Sequence, residues 1–363
     1  MTDWTDRRAL DLLRLRLPLV QAPMAGAHGV DLAVAVARAG GLGSLPCAML
    51  TPEQLREQVA AFRAACEAPL NLNFFCHQPP VPDAAREAAW RERLAPSYRA
   101  WGLGPDTPVP VSNRAPFDTA FCEVVEALKP EVVSFHFGLP EAALLARVKA
   151  AGAVVLSSAT TVAEARWLAA RGCDAVIAQG AEAGGHRGMF LSEDVAGQVG
   201  TLALVPQVVD AVTVPVIAAG GIADGRGMAA ALVLGASAVQ VGTAYLHGAQ
   251  SRIAPLHRQA LQGAGDDATA LTNVFTGRPA RGLVNRAVRE LGPISAAAPA
   301  FPLAGGALAP LRAAAEAQGH PDFMPMWAGQ ALALGREQAT GADAGEWTRR
   351  IAGQALRHLG RVA

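Results

Sequence analysis

The residues in this chain best suited to chemistry lie in one run, Gln179-Gly-Ala-Glu-Ala-Gly-Gly-His-Arg-Gly188, which follows directly on an apolar segment. An imidazole titrates near neutrality, so His186 is of the right type to take a proton from a carbon acid or to hold an anionic substrate. Arg187 beside it reads as structural. Two more glycine turns follow apolar segments, in Val216-Ile-Ala-Ala-Gly-Gly-Ile-Ala-Asp224 and in Val239-Gln-Val-Gly-Thr243. Bare backbone N–H groups at such a turn can approach a phosphate closely, and a following helix favours its charge. Ala22-Pro-Met-Ala-Gly26 and Asn73 also end apolar runs, where Met24 offers apolar packing and Asn73 a donor and an acceptor. No H-E-x-x-H, P-loop or G-x-S-x-G is present, which argues against zinc proteases, nucleotide hydrolases and serine hydrolases.

The elements that position these residues are short, unalternating apolar runs beginning near residues 19, 41, 70, 132, 153, 175, 214 and 236. Such runs fit strands buried on both faces. Helix-like patterns alternate with them, at 30–39, 52–66, 117–128, 141–150, 162–171, 202–212 and 226–234. Thr51-Pro-Glu53 predicts a helix start with proline at its first position. Eight strands with intervening helices predict an α/β fold, a (β/α)8 TIM barrel. A doubly wound sheet is the alternative, but Ala25-Gly-Ala-His-Gly29 lacks the dinucleotide-binding spacing. The long step between the third and fourth runs, and the irregular stretch after the eighth, predict a smaller lid over the barrel mouth. The expected division is a barrel from 1–75, 117–248 and 327–363, and a lid from 76–116 and 249–326.

The chain has 363 residues, 51% of them hydrophobic and 17% charged, so a large folded core is expected and a disordered chain is not. Its 31 basic and 31 acidic residues cancel, which gives no reason to expect a nucleic-acid or anionic-membrane partner. Cys47, Cys66, Cys76, Cys122 and Cys173 are odd in number, and no C-x-x-C occurs. Neither a disulfide framework nor a metal site is expected, and a reducing, cytoplasmic location fits. The polar start Met1-Thr-Asp-Trp-Thr-Asp-Arg-Arg8 does not read as a signal peptide. The weakly charged stretch 227–251 is broken by Gly235, Ser237, Gln240 and Gly242, and reads as buried barrel, not a membrane span.

Taken in order, Ala22-Pro-Met-Ala-Gly26, Asn73, Gln179-Gly-Ala-Glu-Ala-Gly-Gly-His186, Ala218-Ala-Gly-Gly-Ile222 and Gln240-Val-Gly-Thr243 resemble the nitronate monooxygenase family. The resemblance spans about residues 18 to 335. The Glu-Ala-Gly-Gly-His element is shared with FMN-dependent enoyl reductases and NADH:quinone reductases of the same superfamily. Val133-Ser-Phe-His-Phe-Gly138, Phe275-Thr-Gly-Arg-Pro-Ala-Arg-Gly-Leu-Val-Asn285 and Trp327-Ala-Gly-Gln330 resemble the class I nitronate monooxygenases. The tyrosines and lysine of some class I members have no counterpart around 301–309.

The resemblance implies non-covalent FMN without a nicotinamide requirement. An alkyl nitronate, propionate 3-nitronate among the candidates, would be oxidised by dioxygen to a carbonyl compound and nitrite. It implies FMN contacts from Met24, Asn73, Gln179, Gly184, Gly221, Gln240, Val241, Gly242 and Thr243. His186 would position the nitronate or take the α-proton of a neutral nitroalkane, and His136 would stand on the substrate side. The expected partners are a small-molecule nitronate and O2, with a homodimer as the expected assembly. Two alternatives stay open: an NAD(P)H-dependent FMN reductase on the same barrel, and a flavin-binding protein without turnover.

Overall fold

The computed structural model of the protein describes residues 4–110, 112 and 114–360. The ends of the two expected terminal barrel segments, and positions 111 and 113 of the expected lid, lie outside the described residues.

The chain-ordered strands are β1 (Leu19–Gln21), β2 (Gly43–Pro46), β3 (Leu70–Phe75), β4 (Val132–His136), β5 (Val154–Ala159), β6 (Ala175–Gln179), a two-residue β7 (Gly185–His186), β8 (Val216–Ala219) and β9 (Ala238–Val241). All but β7 form one eight-stranded parallel sheet in the order β1-β9-β8-β6-β5-β4-β3-β2. The sheet closes on itself where Val20 bridges Leu42 in parallel. There Leu42 N–H donates to Leu19 O and Gln21 N–H donates to Leu42 O, each at 2.9 Å. The expected barrel is therefore observed, and each of the eight apolar runs supplies one strand.

Register fixes what the mouth contains. Asn73 lies opposite Ser134, Gln179 opposite Ala219, and Ala219 opposite Gln240. These polar residues sit at the C-terminal ends of strands whose preceding residues are almost wholly buried. Parallel strands share a direction, so a residue that ends each run must arrive at the same rim.

The outer helices begin where their caps dictate. Thr51 and Gln54 form a reciprocal capping box ahead of Pro52–Ala65, with proline in the first turn. Asp118, Thr161 and Asp224 accept backbone N–H bonds at the starts of Thr119–Leu128, Val162–Ala170 and Gly225–Val233. The last layer comes from the end of the described chain. Ala344–His358 packs against Val30–Ala39 and Gly225–Val233, and its Trp347 meets Tyr245 edge-on at 4.7 Å.

A second apolar cluster stands apart from the barrel core. The helix Ala84–Ala100, which the sequence pattern did not reveal, contributes Trp90 and Leu94. They pack with Val274, Phe275, Leu308 and Leu311 from the segment after β9. Trp90 Nε1 donates to Ala304 O at 3.1 Å and Tyr98 OH to Ala307 O at 2.6 Å, tying the two insertions together.

A small antiparallel sheet joins this region to the barrel. It runs β10 (Thr269–Thr272), β11 (Ala280–Leu283), β7, with Ala280 opposite His186 and Arg281 opposite Gly185. His186 thus sits on a strand, which nothing in its glycine-rich run announces. Two residues are too few to show a period, and only the distant partner β11 makes them a strand.

Candidate active site

A cavity of about 480 Å³ opens at the C-terminal ends of the barrel strands. Among the residues expected to act there, Met24, Asn73, His136, Gln179, Gly184, His186, Gly221, Gln240, Gly242 and Thr243 all line it. Val241 does not: its side chain is buried in the barrel core, and its backbone oxygen accepts from Ala22 N–H at 2.8 Å. Alternation along β9 explains this, because Gln240 and Val241 must face opposite sides of the sheet.

One end of the cavity is backbone. Gly220 and Gly221 both take positive φ, at 114° and 69°, a conformation that costs glycine nothing and other residues about 1–2 kcal/mol. Gly242 and Thr243 stand at the end of the adjacent strand. Gln240 Oε1 is buried there with no hydrogen-bond partner among the described residues. A buried amide oxygen left unpaired is costly, so a bound group carrying a donor fits this position. Gly184 has a different reason to be glycine. A Cβ there would come within 2.6 Å of Gly329 N, so the 327–330 segment could not close over the loop.

The other end is aromatic and cationic. The His186 ring sits 5.3 Å from Phe301, 5.5 Å from Trp327, 5.9 Å from Phe137 and 6.1 Å from Phe75. Its Nε2 meets Thr276 Oγ1 at 2.9 Å. Burial, and then the charge of Arg114, hold its imidazolium form well below the usual histidine range, with His136, Arg278 and His77 adding to the effect. Arg114 and Arg312 line the same cavity. The Arg278 guanidinium lies 4.1 Å from the centre of the Phe137 ring, whose own φ is 71°.

Two expected site residues spend their side chains on the frame. Gln179 Nε2 donates to His186 O at 3.0 Å, and its Oε1 accepts from Gly188 N–H at 2.7 Å. His136 Nε2 lies 3.1 Å from His186 O, and its Nδ1 lies 3.1 Å from Ser158 Oγ. A carbonyl can only accept, so His136 carries its proton on Nε2 and accepts from Ser158. Burial lowers its pKa to about 4. His136 lines the cavity as expected, but both its ring nitrogens are engaged by the protein, which places it to hold the His186 strand. Arg187 is structural, as read: it donates to Gly180 O at 2.7 Å and Gln179 O at 2.6 Å.

Sequence reasoning missed Arg114, Thr276 and Arg312. Arg114 and Arg312 come from the two insertions, far from any strand end, and nothing in their local sequence marks them. Thr276 lay within the Phe275–Asn285 segment already noted for its family likeness, so that segment was the available signal.

Comparison with known proteins places this arrangement. Residues 7–343 match the sequence model of the family described as nitronate monooxygenase. The chain is 43% identical over 340 residues to the nitronate monooxygenase of Paraburkholderia phytofirmans, with 93% of each chain covered. It is 43% identical over 341 residues to that of Pseudomonas aeruginosa, covering 93% of this chain and 95% of the other. Among solved structures, a nitroalkane oxidase from Streptomyces ansochromogenes superposes with a TM-score of 0.87 at 38% identity, covering 98% of this chain and 100% of the other. FabK from Thermotoga maritima superposes less closely, with a TM-score of 0.71 at 26% identity and 97% of both chains covered. A barrel mouth with a glycine rim and an enclosed histidine, and a family match over nearly the whole chain, lead to one assignment: the chain belongs to the nitronate monooxygenase family.

Proposed function

We propose that this protein is an FMN-dependent enzyme that oxidises alkyl nitronates with dioxygen to a carbonyl compound and nitrite. The observation that carries this reading is the two-ended cavity, with bare backbone at one end and a neutral, enclosed histidine beside arginines at the other. The turns at Gly220–Gly221 and Gly242–Thr243 would hold the phosphate, Gln240 Oε1 would accept from the ring system, and Met24 and Asn73 would pack and orient it. Bound FMN supplies an electron acceptor able to pass electrons on to dioxygen.

The chain's own residues do the rest. Arg114 and Arg278 place positive charge near His186, where an anionic nitronate gains most because bulk water is excluded. The rings of Phe75, Phe137, Phe301 and Trp327 form the dry wall. A neutral nitroalkane would need a base, and His186 lines the cavity with one ring nitrogen unengaged among the described residues. The five cysteines are all unpaired, and no helix among the described residues is long and apolar enough to cross a membrane. The unpaired cysteines fit the proposed reducing, cytoplasmic location, and a homodimer stays part of the proposal, to be measured by light scattering.

The test is direct. The purified protein should be yellow, release FMN on denaturation, and form nitrite from propionate 3-nitronate in air. Absence of nitrite, together with rapid anaerobic bleaching by NADH or NADPH, would replace this reading with a reductase.

A further inference from the structure

Thr276 does more than touch His186. Its hydroxyl has a single proton and three neighbours: His186 Nε2 at 2.9 Å, Arg278 O at 3.3 Å and Arg278 N at 3.5 Å. The contact to Thr276 is the only hydrogen bond that Arg278 O makes among the described residues. Arg278 N–H can only donate, so the hydroxyl proton cannot go there. If the proton goes to Arg278 O, every group is satisfied: the hydroxyl donates once and accepts from both N–H groups. If it goes to Nε2 instead, Arg278 O is left without a hydrogen-bond partner among the described residues, in a half-buried turn. Satisfying all the groups therefore requires a proton on Nε2.

The other ring nitrogen is then the one with a lone pair. Nδ1 makes no hydrogen bond among the described residues, yet it is not among the buried unpartnered atoms, and His186 lines the cavity. We propose that Thr276 is a positioning residue that locks His186 in the Nε2–H tautomer, so that Nδ1 is the atom that accepts the α-proton when a neutral nitroalkane is the substrate. This rests on the proposed reading of His186 as the proton acceptor.

In that step the α-carbon C–H bond breaks and its proton passes to Nδ1. The electron pair moves into the nitro group, giving a nitronate anion and an imidazolium. Thr276 Oγ1 then accepts from a charged Nε2–H, a hydrogen bond that strengthens as the charge forms. Arg114 and Arg278, which disfavour the imidazolium, favour the nitronate made beside it. The wall thus keeps the base neutral and stabilises the anionic product with the same charges.

The experiment joins a spectrum to kinetics. Histidine-15N NMR of the FMN-loaded protein, with the His186 signals assigned by their loss in His186→Asn, should show a protonated Nε2 and an unprotonated Nδ1 in the wild type. Thr276→Val should mix the tautomers and lower turnover of a neutral nitroalkane by roughly 10- to 100-fold, part of the effect of a positioned base. Oxidation of the preformed nitronate should stay within about threefold, since its proton is already gone. Thr276→Ser should restore both the spectrum and the nitroalkane rate. A wild-type spectrum with the proton on Nδ1 would overturn the proposal, and so would a Thr276→Val variant with unchanged tautomers or with equal losses on both substrates. A wild type that forms no nitrite from either substrate would sink the functional reading, while the spectrum would still decide the tautomer.

Discussion

The rim made by the ends of β8 and β9 and the wall made by β7, β11 and the two insertions face one cavity, yet they are built from different material. The rim is backbone: Gly220, Gly221, Gly242 and Thr243 follow their strands directly, and the barrel register alone sets their positions. The wall is side chain. His186, Thr276, Phe301, Trp327, Arg114 and Arg312 come from segments spread over two hundred residues, brought together by the small antiparallel sheet and a separate apolar cluster. A backbone cradle recognises charge and shape with little dependence on sequence. A side-chain wall can be retuned residue by residue while the barrel stays the same. On this reading the rim should govern whether cofactor is held, and the wall should govern which substrates react.

The largest effect should come from breaking the rim. Gly221→Asp puts a carboxylate at a turn where the position of Cβ already meets Glu182 at 3.4 Å. Aspartate tolerates the left-handed conformation better than most residues, so the fold should survive while the charge repels a phosphate. FMN retention should weaken by at least about 100-fold, since like-charge juxtaposition costs several kcal/mol. Equilibrium dialysis against FMN measures this, and normal FMN content in a folded variant would remove the phosphate from this turn.

Breaking the wall at its centre should leave cofactor in place. His186→Asn should cost about 10²–10⁴-fold with a neutral nitroalkane and far less with its nitronate, at unchanged FMN content. Equal kinetics with wild type on every substrate would reduce His186 to scaffolding. Arg114→Gln should act more gently. Removing the largest charge effect on His186 should move its pKa upward, so the pH profile of the nitroalkane reaction shifts to higher pH. The nitronate KM should rise by roughly tenfold, the size of about 1.4 kcal/mol. An unshifted profile would place Arg114 outside the field of His186.

The last effect concerns stability and not substrate or cofactor. His77 and His136 in the wall, and His28, His247 and His257 elsewhere, have pKa values lowered to about 4, mainly by burial. Their folded values lie below the unfolded value near 6.5, so the unfolded chain binds more protons in between. Stability should be complete above about pH 6.5 and should fall as the pH drops toward 4. Thermal melts of the holoenzyme at stepwise lower pH should show Tm falling through that window, and a flat Tm would mean that these histidines titrate normally.

How much of this was readable in advance follows the same division. The barrel strands were legible because parallel strands buried on both faces write themselves as plain apolar runs. The rim residues were legible because each directly ends such a run. Val241 differs from its neighbours because alternation along β9 turns its side chain into the barrel core. His186 was legible as a residue but not as part of a strand, since its partner Ala280 is far along the chain. Gln179 and His136 have the right types for a site, yet only the tertiary fold engages their polar atoms with the His186 and Gly188 backbone and with Ser158.

The sequence by itself determined the barrel, the end of it that carries the site, and the glycine rim, because all three follow from local period and from strands running the same way. Tertiary structure alone decided the wall. Arg114 and Arg312 acquire meaning only when the tertiary fold brings them to one cavity, and Thr276 only when β11 pairs with β7. The protonation state of an imidazole depends on the groups within a few ångströms of its two nitrogens, and for His186 those groups are far away in sequence.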